Sequence, residues 1–211
     1  MQYKFIVIEG NIGAGKTSLT QKIGSDCNAQ IILEQFADNP FLPKFYENKE
    51  RYSFPLELSF LAERYHQLSN ELNNRNLFKT FTVSDYYFMK SLIFAANTLQ
   101  TDEYKLYVKL FNIIYQSLPK PDLYVYLHLN TENLMRNIQK RGREYERHIT
   151  EDYLRTIQNG YFNFFKQNTY LKFLIIDTNN VDFVNNNEDY QNIMNHIFEK
   201  QYNMGINRII L

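Results

Sequence analysis

Strand-like and helix-like hydrophobic patterns alternate along the chain. Short apolar runs, which are typical of strands buried in a sheet, are separated by longer segments with helical spacing. The apolar runs occupy residues 3–8, 30–34, 78–85, 123–129 and 172–177. Because strands that alternate with helices form parallel sheets covered on both faces, the pattern predicts an α/β fold with a five-stranded parallel sheet.

The clearest helical pattern spans residues 53–73. Its apolar residues recur at alternating spacings of four and three, and so form one stripe: Phe54, Leu58, Leu61, Tyr65, Leu68 and Leu72. Glu57 and Arg64 lie at the border of that stripe, where spacing alone favours a solvated flank for both. Further helices are predicted at 86–99, 103–117, 132–140, 151–166 and 188–200.

The segment after the first strand carries a phosphate-binding motif. Residues 10–17 read Gly-Asn-Ile-Gly-Ala-Gly-Lys-Thr, which fits G-x-x-x-x-G-K-[ST] between a strand and a helix. In that setting backbone N–H groups bind an anion, Lys16 reaches the β- and γ-phosphates, and the Thr17 hydroxyl holds Mg²⁺. The motif therefore predicts a nucleoside triphosphate site made by Gly10, Asn11, Ile12, Gly13, Ala14, Gly15, Lys16, Thr17 and Ser18.

Composition narrows the remaining classes of function. The 23 Lys and Arg residues balance 23 Asp and Glu residues, so no global field favours nucleic acid or a membrane surface. The single cysteine, Cys27, excludes an intramolecular disulfide and suits a reducing cytoplasm. No apolar run approaches the ~18 residues of a membrane helix, and no signal peptide pattern precedes the first strand. At 211 residues, one domain spanning 1–211 is expected.

Charged residues outside the loop extend the predicted site. Ligands of parallel α/β sheets bind at the carboxyl ends of the strands, so Glu34 and Asp85 are expected on the same edge as the loop. Arg141 and Arg143 flank Gly142 and can neutralise charge that develops during phosphoryl transfer. Gly142 also suits the end of a helix. The chain contains no N-K-x-D motif, which argues against a GTPase.

In combination these motifs resemble the deoxynucleoside kinase family, in its bacterial-type branch. The resemblance rests on residues 9–17, on Glu34, on residues 39–46, on the Glu57-to-Arg64 spacing and on residues 141–146. It runs from residue 3 to about residue 184, nearly the whole chain. It implies a P-loop kinase with a lid at about 141–149 that serves nucleotide salvage. It also implies Mg²⁺ with ATP as phosphate donor, the 5′-hydroxyl of a deoxynucleoside as acceptor, and a homodimer formed through helices at 53–73 and 86–117.

The resemblance also implies roles for individual residues. Glu34 would be the general base for the 5′-hydroxyl, or the acceptor that orients it. Tyr46 and Glu146 would bind the 3′-hydroxyl, and the Tyr46 ring would exclude a ribose 2′-hydroxyl. Arg141 and Arg143 would lie over the phosphates of ATP. Two further residues, Glu57 and Arg64, would face the base.

The segment after the third strand departs from the family pattern. The family commonly has Glu-Arg-Ser or Asp-Arg-Ser there, whereas this chain reads Ser84-Asp85-Tyr86-Tyr87. Asp85 would be the carboxylate that assists Mg²⁺, and it also suits the N-cap of the predicted helix at 86–99. The usual arginine is missing, and Lys90, about one helical turn further on, is the candidate to supply its charge.

Glu57 is the second departure, because the family commonly has glutamine there. An ionised carboxylate only accepts hydrogen bonds, and guanine offers adjacent N1–H and N2–H donors. Adenine would suit a protonated Glu57 better. This predicts a purine deoxynucleoside as substrate, with guanine ahead of adenine, unless Arg64 neutralises Glu57.

Two alternatives stay open at the level of sequence. A nucleoside monophosphate kinase, such as a thymidylate kinase, would need an extra cation for the acceptor's phosphate, which Arg51, Arg64 or Lys90 can provide. A non-catalytic nucleotide-binding regulatory module would have lost turnover, and the intact Lys16 and Glu34 argue against that.

Overall fold

One parallel sheet of six strands organises the molecule. The computed structural model describes residues 3–35, 39–74 and 76–211. The strands lie in the order β2-β3-β1-β4-β5-β6, and all paired neighbours are parallel. Their bounds are β1 Phe5–Gly10, β2 Gln30–Ile32, β3 Thr82–Ser84, β4 Leu123–His128, β5 Lys172–Asp177 and β6 Gly205–Ile210.

The sheet contains each predicted strand and one more, so the prediction of five strands is corrected to six. β6 lies at the edge and pairs with β5 along its whole length, from Lys172↔Gly205 to Asp177↔Ile210. Its burial alternates, and its polar Asn207 and Arg208 interrupt the apolar run that marks the inner strands. An edge strand with one exposed flank therefore gives a weaker hydrophobic signal than the strands that are buried on both faces.

Helices cover both faces of the sheet. They are α1 Lys16–Asp26, α2 Phe41–Glu47, α3 Lys49–Asn73, α4 Lys90–Thr98, α5 Thr101–Tyr115, α6 Thr131–Arg141, α7 Glu151–Gln167 and α8 Asn187–Phe198. A short 3₁₀ helix, Glu144–Glu146, follows α6. Helix α3 begins before the predicted residue 53 because the Asn48 side chain accepts a hydrogen bond from the Arg51 backbone N–H and caps the helix.

Helix α4 begins at Lys90 instead of residue 86, and a buried carboxylate explains the difference. Glu9 on β1 accepts the Tyr87 backbone N–H at 2.9 Å and the Tyr161 hydroxyl at 2.9 Å. The Tyr87 amide is thus bonded across the sheet, so the segment after β3 makes a turn before the helix starts. Met89, not Asp85, precedes α4 as its N-cap residue, so the N-cap interpretation of Asp85 is wrong.

Alternate residues of the inner strands enter two cores. On one face Phe5, Val7, Tyr124, Tyr126 and Phe173 belong to an aromatic-rich cluster with α4, α5 and α7. On the other face, the intervening residues pack with α1, α6 and α8: Ile6, Ile8, Val125, Leu127, Leu174 and Ile176. This two-residue alternation is the period of a strand, and it explains why the central runs are apolar throughout. Among the described residues, no helix is long and apolar enough to cross a membrane.

Candidate active site at the carboxyl ends of the strands

The glycine-rich loop joins β1 to α1 in the predicted strand–loop–helix arrangement. Gly13 and Gly15 have φ angles of 86° and 85°, a backbone region that disfavours residues with a Cβ atom. A Cβ at Gly13 would also lie 2.9 Å from the Leu134 carbonyl oxygen. Asn11 anchors the loop by donating to the Leu154 carbonyl oxygen at 2.7 Å. The loop therefore presents the N-terminus of α1 to an anion.

Lys16 is the first residue of α1, directly after the last glycine of the loop. Its Nζ donates to the Asn11 carbonyl oxygen at 2.9 Å. Burial and the nearby charge of Lys90 lower its pKa to about 8, against the opposing effect of Glu9, Glu34 and Asp85. A bound polyphosphate would restore the charge of the ammonium group, because an adjacent anion favours the cationic form.

Thr17 and Asp85 form an oxygen pair beside the loop. The Thr17 hydroxyl donates to Asp85 Oδ2 at 2.6 Å, and Asp85 Oδ1 accepts the Glu34 backbone N–H at 2.7 Å. Mg²⁺ is commonly held by one or two protein oxygens together with substrate phosphates. The hydroxyl and carboxylate fit that requirement, and Asp85 also fixes the backbone of Glu34.

Glu34 is held by two cations. Oε1 accepts from Arg64 Nη2 at 2.7 Å and from Arg64 Nε at 3.0 Å, and Oε2 accepts from Lys90 Nζ at 2.5 Å. Burial alone would raise the pKa of Glu34, but the charges and hydrogen bonds of Lys90 and Arg64 outweigh it and lower the pKa to about 2. Glu34 is therefore an ionised carboxylate held in a fixed position. The Lys90 ammonium group that is bonded to it places a positive charge in the cavity.

Arg64 and Glu57 are buried, so the solvated flank favoured by their spacing is wrong. Arg64 does not hydrogen-bond Glu57: Nη1 donates to Ser91 at 2.9 Å, and its other nitrogens bond Glu34. Glu57 Oε1 accepts from the Thr98 hydroxyl at 2.8 Å, whereas the buried Oε2 has no hydrogen-bond partner among the residues that the structure describes. Burial raises the pKa of Glu57 to about 7, although Thr98, Arg64 and Lys90 act in the opposite direction.

In the segment predicted as a lid, two arginines contact the carboxylate of Glu146. Arg141 Nη2 and Nε donate to Glu146 at 2.5 and 3.1 Å, and Arg143 Nη1 lies 3.6 Å from Glu146 Oε1. Gly142 ends α6 in the left-handed conformation, as predicted. The Tyr46 ring stacks on Tyr145 at a centroid distance of 6.4 Å, and burial, together with Glu146, raises the pKa of Tyr46 to about 12.

A single cavity brings these groups together. The predicted residues that line it are Lys16, Thr17, Glu34, Tyr46, Glu57, Arg64, Asp85, Lys90, Arg141, Arg143 and Glu146. Of the remaining loop residues, Ile12 also lines it. Sequence reasoning missed its apolar and aromatic walls: Leu42, Phe45, Leu56, Phe60, Phe94, Tyr145 and Tyr153. The helical stripe of α3 signalled buried apolar residues, but not that neighbouring positions would face a cavity.

Similarity to known proteins decides the family. The family model for deoxynucleoside kinase matches residues 6–202. The chain is 36% identical over 199 residues to a deoxyguanosine kinase of Bacillus subtilis, covering 92% of this chain and 96% of the relative. The chain belongs to the deoxynucleoside kinase family. The kinase is also 29% identical over 202 residues to a deoxyadenosine/deoxycytidine kinase of B. subtilis, with 91% and 90% of the chains covered.

A solved structure agrees with this assignment. Deoxyadenosine kinase from M. mycoides with bound dATP superposes with a TM-score of 0.77 at 26% identity, covering 92% of this chain and 98% of that one. The predicted P-loop α/β fold and family are thus confirmed. Deoxynucleoside kinases are ATP-dependent phosphotransferases that act on small nucleosides.

Proposed function

We propose that this kinase transfers the γ-phosphate of ATP to the 5′-hydroxyl of a purine deoxynucleoside, and that it favours guanine over adenine. The observation that carries the base preference is the carboxylate of Glu57. This residue is 2% exposed and lines the cavity, and within the described part of the chain one of its oxygens has no hydrogen-bond partner. An ionised carboxylate accepts two hydrogen bonds, which matches the N1–H and N2–H donors of guanine. The similarity to a B. subtilis deoxyguanosine kinase supports the same choice.

Glu34 acts as the acceptor that orients the 5′-hydroxyl. A carboxylate whose pKa lies at about 2 is a weak base at neutral pH, so orientation is favoured over proton abstraction in the early part of the transfer. Oε2 accepts one hydrogen bond, from Lys90, and retains capacity for the substrate hydroxyl. Most of the rate enhancement would then come from positioning and electrostatics.

Cationic groups surround the position of the transferred phosphate. Lys16, Arg141 and Arg143 line the cavity and would neutralise charge that develops on the phosphoryl oxygens. Mg²⁺ would be held by Thr17 and Asp85, which are already joined at 2.6 Å, and would neutralise charge on the phosphates of ATP. Lys90 would take the place of the missing family arginine, because its Nζ is bonded to Glu34.

Tyr46 and Glu146 would bind the sugar. Tyr46 and Glu146 line the cavity together, and both would bond the 3′-hydroxyl. Arg141 already holds the Glu146 carboxylate in place. The stacked Tyr46 ring would leave no room for a ribose 2′-hydroxyl, which favours deoxyribose.

A product assay tests the function. Purified kinase with Mg·ATP is offered deoxyguanosine, deoxyadenosine, deoxycytidine, thymidine and thymidine monophosphate in separate reactions. We expect monophosphates from the two purine deoxynucleosides, with deoxyguanosine fastest. A diphosphate made only from thymidine monophosphate would indicate a nucleotide kinase, and ATP binding without any product would indicate a regulatory module.

The proposal includes the assembly of the kinase. Residues 1–211 would form one domain whose lid is residues 141–149. Two copies would form a homodimer through the segments 53–73 and 86–117, which contain α3 and α4 with α5. Within the second segment we place the contact at a groove between α4 and α7, whose lining combines Leu92, Ala96 and Tyr104 with polar residues such as Asn163.

A further inference from the structure

The Thr98 hydroxyl lies within hydrogen-bond distance of two alternative acceptors, one on Glu57 and one on the backbone. Its Oγ1 lies 2.8 Å from Glu57 Oε1 and 3.0 Å from the Phe94 carbonyl oxygen. A hydroxyl has one proton, so it donates to only one of the two at a time. If Glu57 is ionised, donation to Oε1 stabilises the charge. If Glu57 is protonated, the hydroxyl turns to Phe94 and leaves Oε1 available to a ligand. Neither state leaves the Thr98 proton without an acceptor.

The groups around Glu57 do not hold it in either the ionised or the protonated form. Arg64 on the same helix and Lys90 on α4 are cations, but both are hydrogen-bonded to Glu34. From α5, the Tyr107 hydroxyl donates to the Glu57 backbone carbonyl oxygen at 3.3 Å. Tyr153 on α7 also faces Glu57, and burial raises the pKa of both tyrosines, so both stay neutral. Glu57 is therefore buried among cations already paired elsewhere, and burial raises its pKa to about 7.

The two charge states present different hydrogen-bonding patterns to a base. The carboxylate presents two acceptors, which complement guanine N1–H and N2–H. The carboxylic acid presents one donor and one acceptor, which complement adenine N1 and N6–H. Glu57 lines the cavity, and its Oε2, which has no partner among the described residues, is the oxygen that can carry this proton. Mismatched patterns leave a buried polar group unpaired, which a binding site rejects strongly.

We propose that the charge of Glu57 selects the base, so that the kinase prefers deoxyguanosine when Glu57 is ionised and deoxyadenosine when it is protonated, with Thr98 as the positioning residue that follows the change. This inference rests on the proposed function. It adds that the preference for guanine or adenine changes with pH.

A competition assay tests the selection. Deoxyguanosine and deoxyadenosine are mixed with Mg·ATP in one reaction, and the ratio of the two monophosphates is measured from about pH 5.5 to about pH 8.5. The ratio cancels pH effects on ATP, Lys16 and Glu34, because both substrates share them. We expect the ratio of guanine to adenine product to rise at least tenfold with pH, roughly as one ionisation. A ratio that is constant with pH overturns the inference.

Three variants assign the effect to residues. Glu57→Gln cannot ionise, so its product ratio should not change with pH; a wild-type pH dependence in this variant would contradict the inference. Thr98→Val removes a hydrogen bond that favours the charged form, so the pH at which preference crosses over should rise by about one unit. Thr98→Ser keeps the hydroxyl and should cross over at the wild-type pH. If the preference of Thr98→Val reverses at the same pH as that of the wild type, Thr98 is not a positioning residue.

The outcomes separate this inference from the proposed function. Phosphorylation of both purine nucleosides with a constant ratio would leave the function in place and overturn only the selection by Glu57. A kinase that phosphorylates neither purine nucleoside at any pH would overturn the proposed function, and the inference with it.

Discussion

Glu34 is partly buried and Glu57 is buried on one cavity, and the pKa values of the two carboxylates move in opposite directions. Glu34 is bonded to Arg64 and Lys90, which lower its pKa to about 2. Glu57 has a hydroxyl as its only side-chain hydrogen-bond donor among the described residues, and burial raises its pKa to about 7. One carboxylate therefore stays charged, whereas the other can change its charge near neutral pH.

Replacing Glu34 tests its part in transfer. In Glu34→Gln, the 5′-hydroxyl loses its charged acceptor, and Arg64 and Lys90 lose their anion, so we expect kcat to fall by about a hundredfold or more. ATP affinity should change by less than about threefold, since the glycine-rich loop is intact. Steady-state kinetics and ATP titration measure the two quantities. Glu199→Gln, at an exposed position after α8, is the matched control. An equal loss of turnover and ATP affinity would argue against the role.

The pKa of Glu57 also predicts how stability changes with pH. The folded pKa lies above the unfolded value, so the protonated form stabilises the fold below about pH 4.5, and this contribution is lost as pH rises through about 7. The glutamine of Glu57→Gln does not ionise, so the variant does not lose stability in this way as pH rises. Its free energy of unfolding, relative to wild type, should therefore be higher at pH 8 than at pH 5 by about 2–3 kcal/mol. Denaturant unfolding at both pH values measures the difference. The same relative stability at both would mean that Glu57 has an ordinary pKa.

The sequence predicted the position of a side chain where a residue type and a motif coincide. Lys16 and Thr17 lie in the loop that their motif predicts, and Asp85 lies against Thr17. Ser91 and Thr98 were missed, because their roles arise from contacts with Arg64 and Glu57 that form only when α4 packs on α3. Spacing along one helix carries no information about such partners, which is why it favoured a solvated Glu57 and Arg64.

At the scale of elements, the strand ends determine where the site lies. The loop follows β1, Glu34 lies two residues after β2, and Asp85 follows β3 directly. The apolar runs predicted these strands, and parallel pairing then predicted their shared edge. The start of α4 was predicted four residues too early, because the Tyr87 N–H is bonded to Glu9 on β1 and not to the helix. Such a long-range bond leaves no trace in helical periodicity.

A pair of glycine substitutions separates backbone strain from steric contact. Gly13 and Gly142 both have positive φ, but a Cβ at Gly142 would lie 3.9 Å from its nearest neighbour and a Cβ at Gly13 would lie 2.9 Å from the Leu134 carbonyl oxygen. Gly142→Ala should lower the free energy of unfolding by about 1 kcal/mol through φ alone. Gly13→Ala should lower it further and weaken ATP binding. Denaturation and ATP titration test both, and equal effects on stability would show that the loop relaxes around the methyl group.

At the scale of the whole molecule, two cores and one sheet bring distant segments to one cavity. The cavity is lined by residues that are far apart along the chain, from the loop, α3, α4 and the segment after α6. The sequence predicted the sheet and the helices that cover it, because each element has its own hydrophobic period. It missed β6 and α2, whose shorter or partly exposed apolar patterns are completed only by packing.

The groove between α4 and α7 gives the proposed homodimer a specific test. Ala96 is exposed on this groove, so an arginine there should not disturb the core, but would place a charge within an interface that must exclude water. We expect the wild-type kinase to have twice the chain mass in light scattering and Ala96→Arg to be mostly monomeric, with its circular dichroism unchanged. Asn192→Arg, at an exposed position of α8 outside both helical segments proposed for the interface, is the matched control and should remain dimeric. A dimeric Ala96→Arg would move the interface away from this groove, and a monomeric wild type would contradict the homodimer itself.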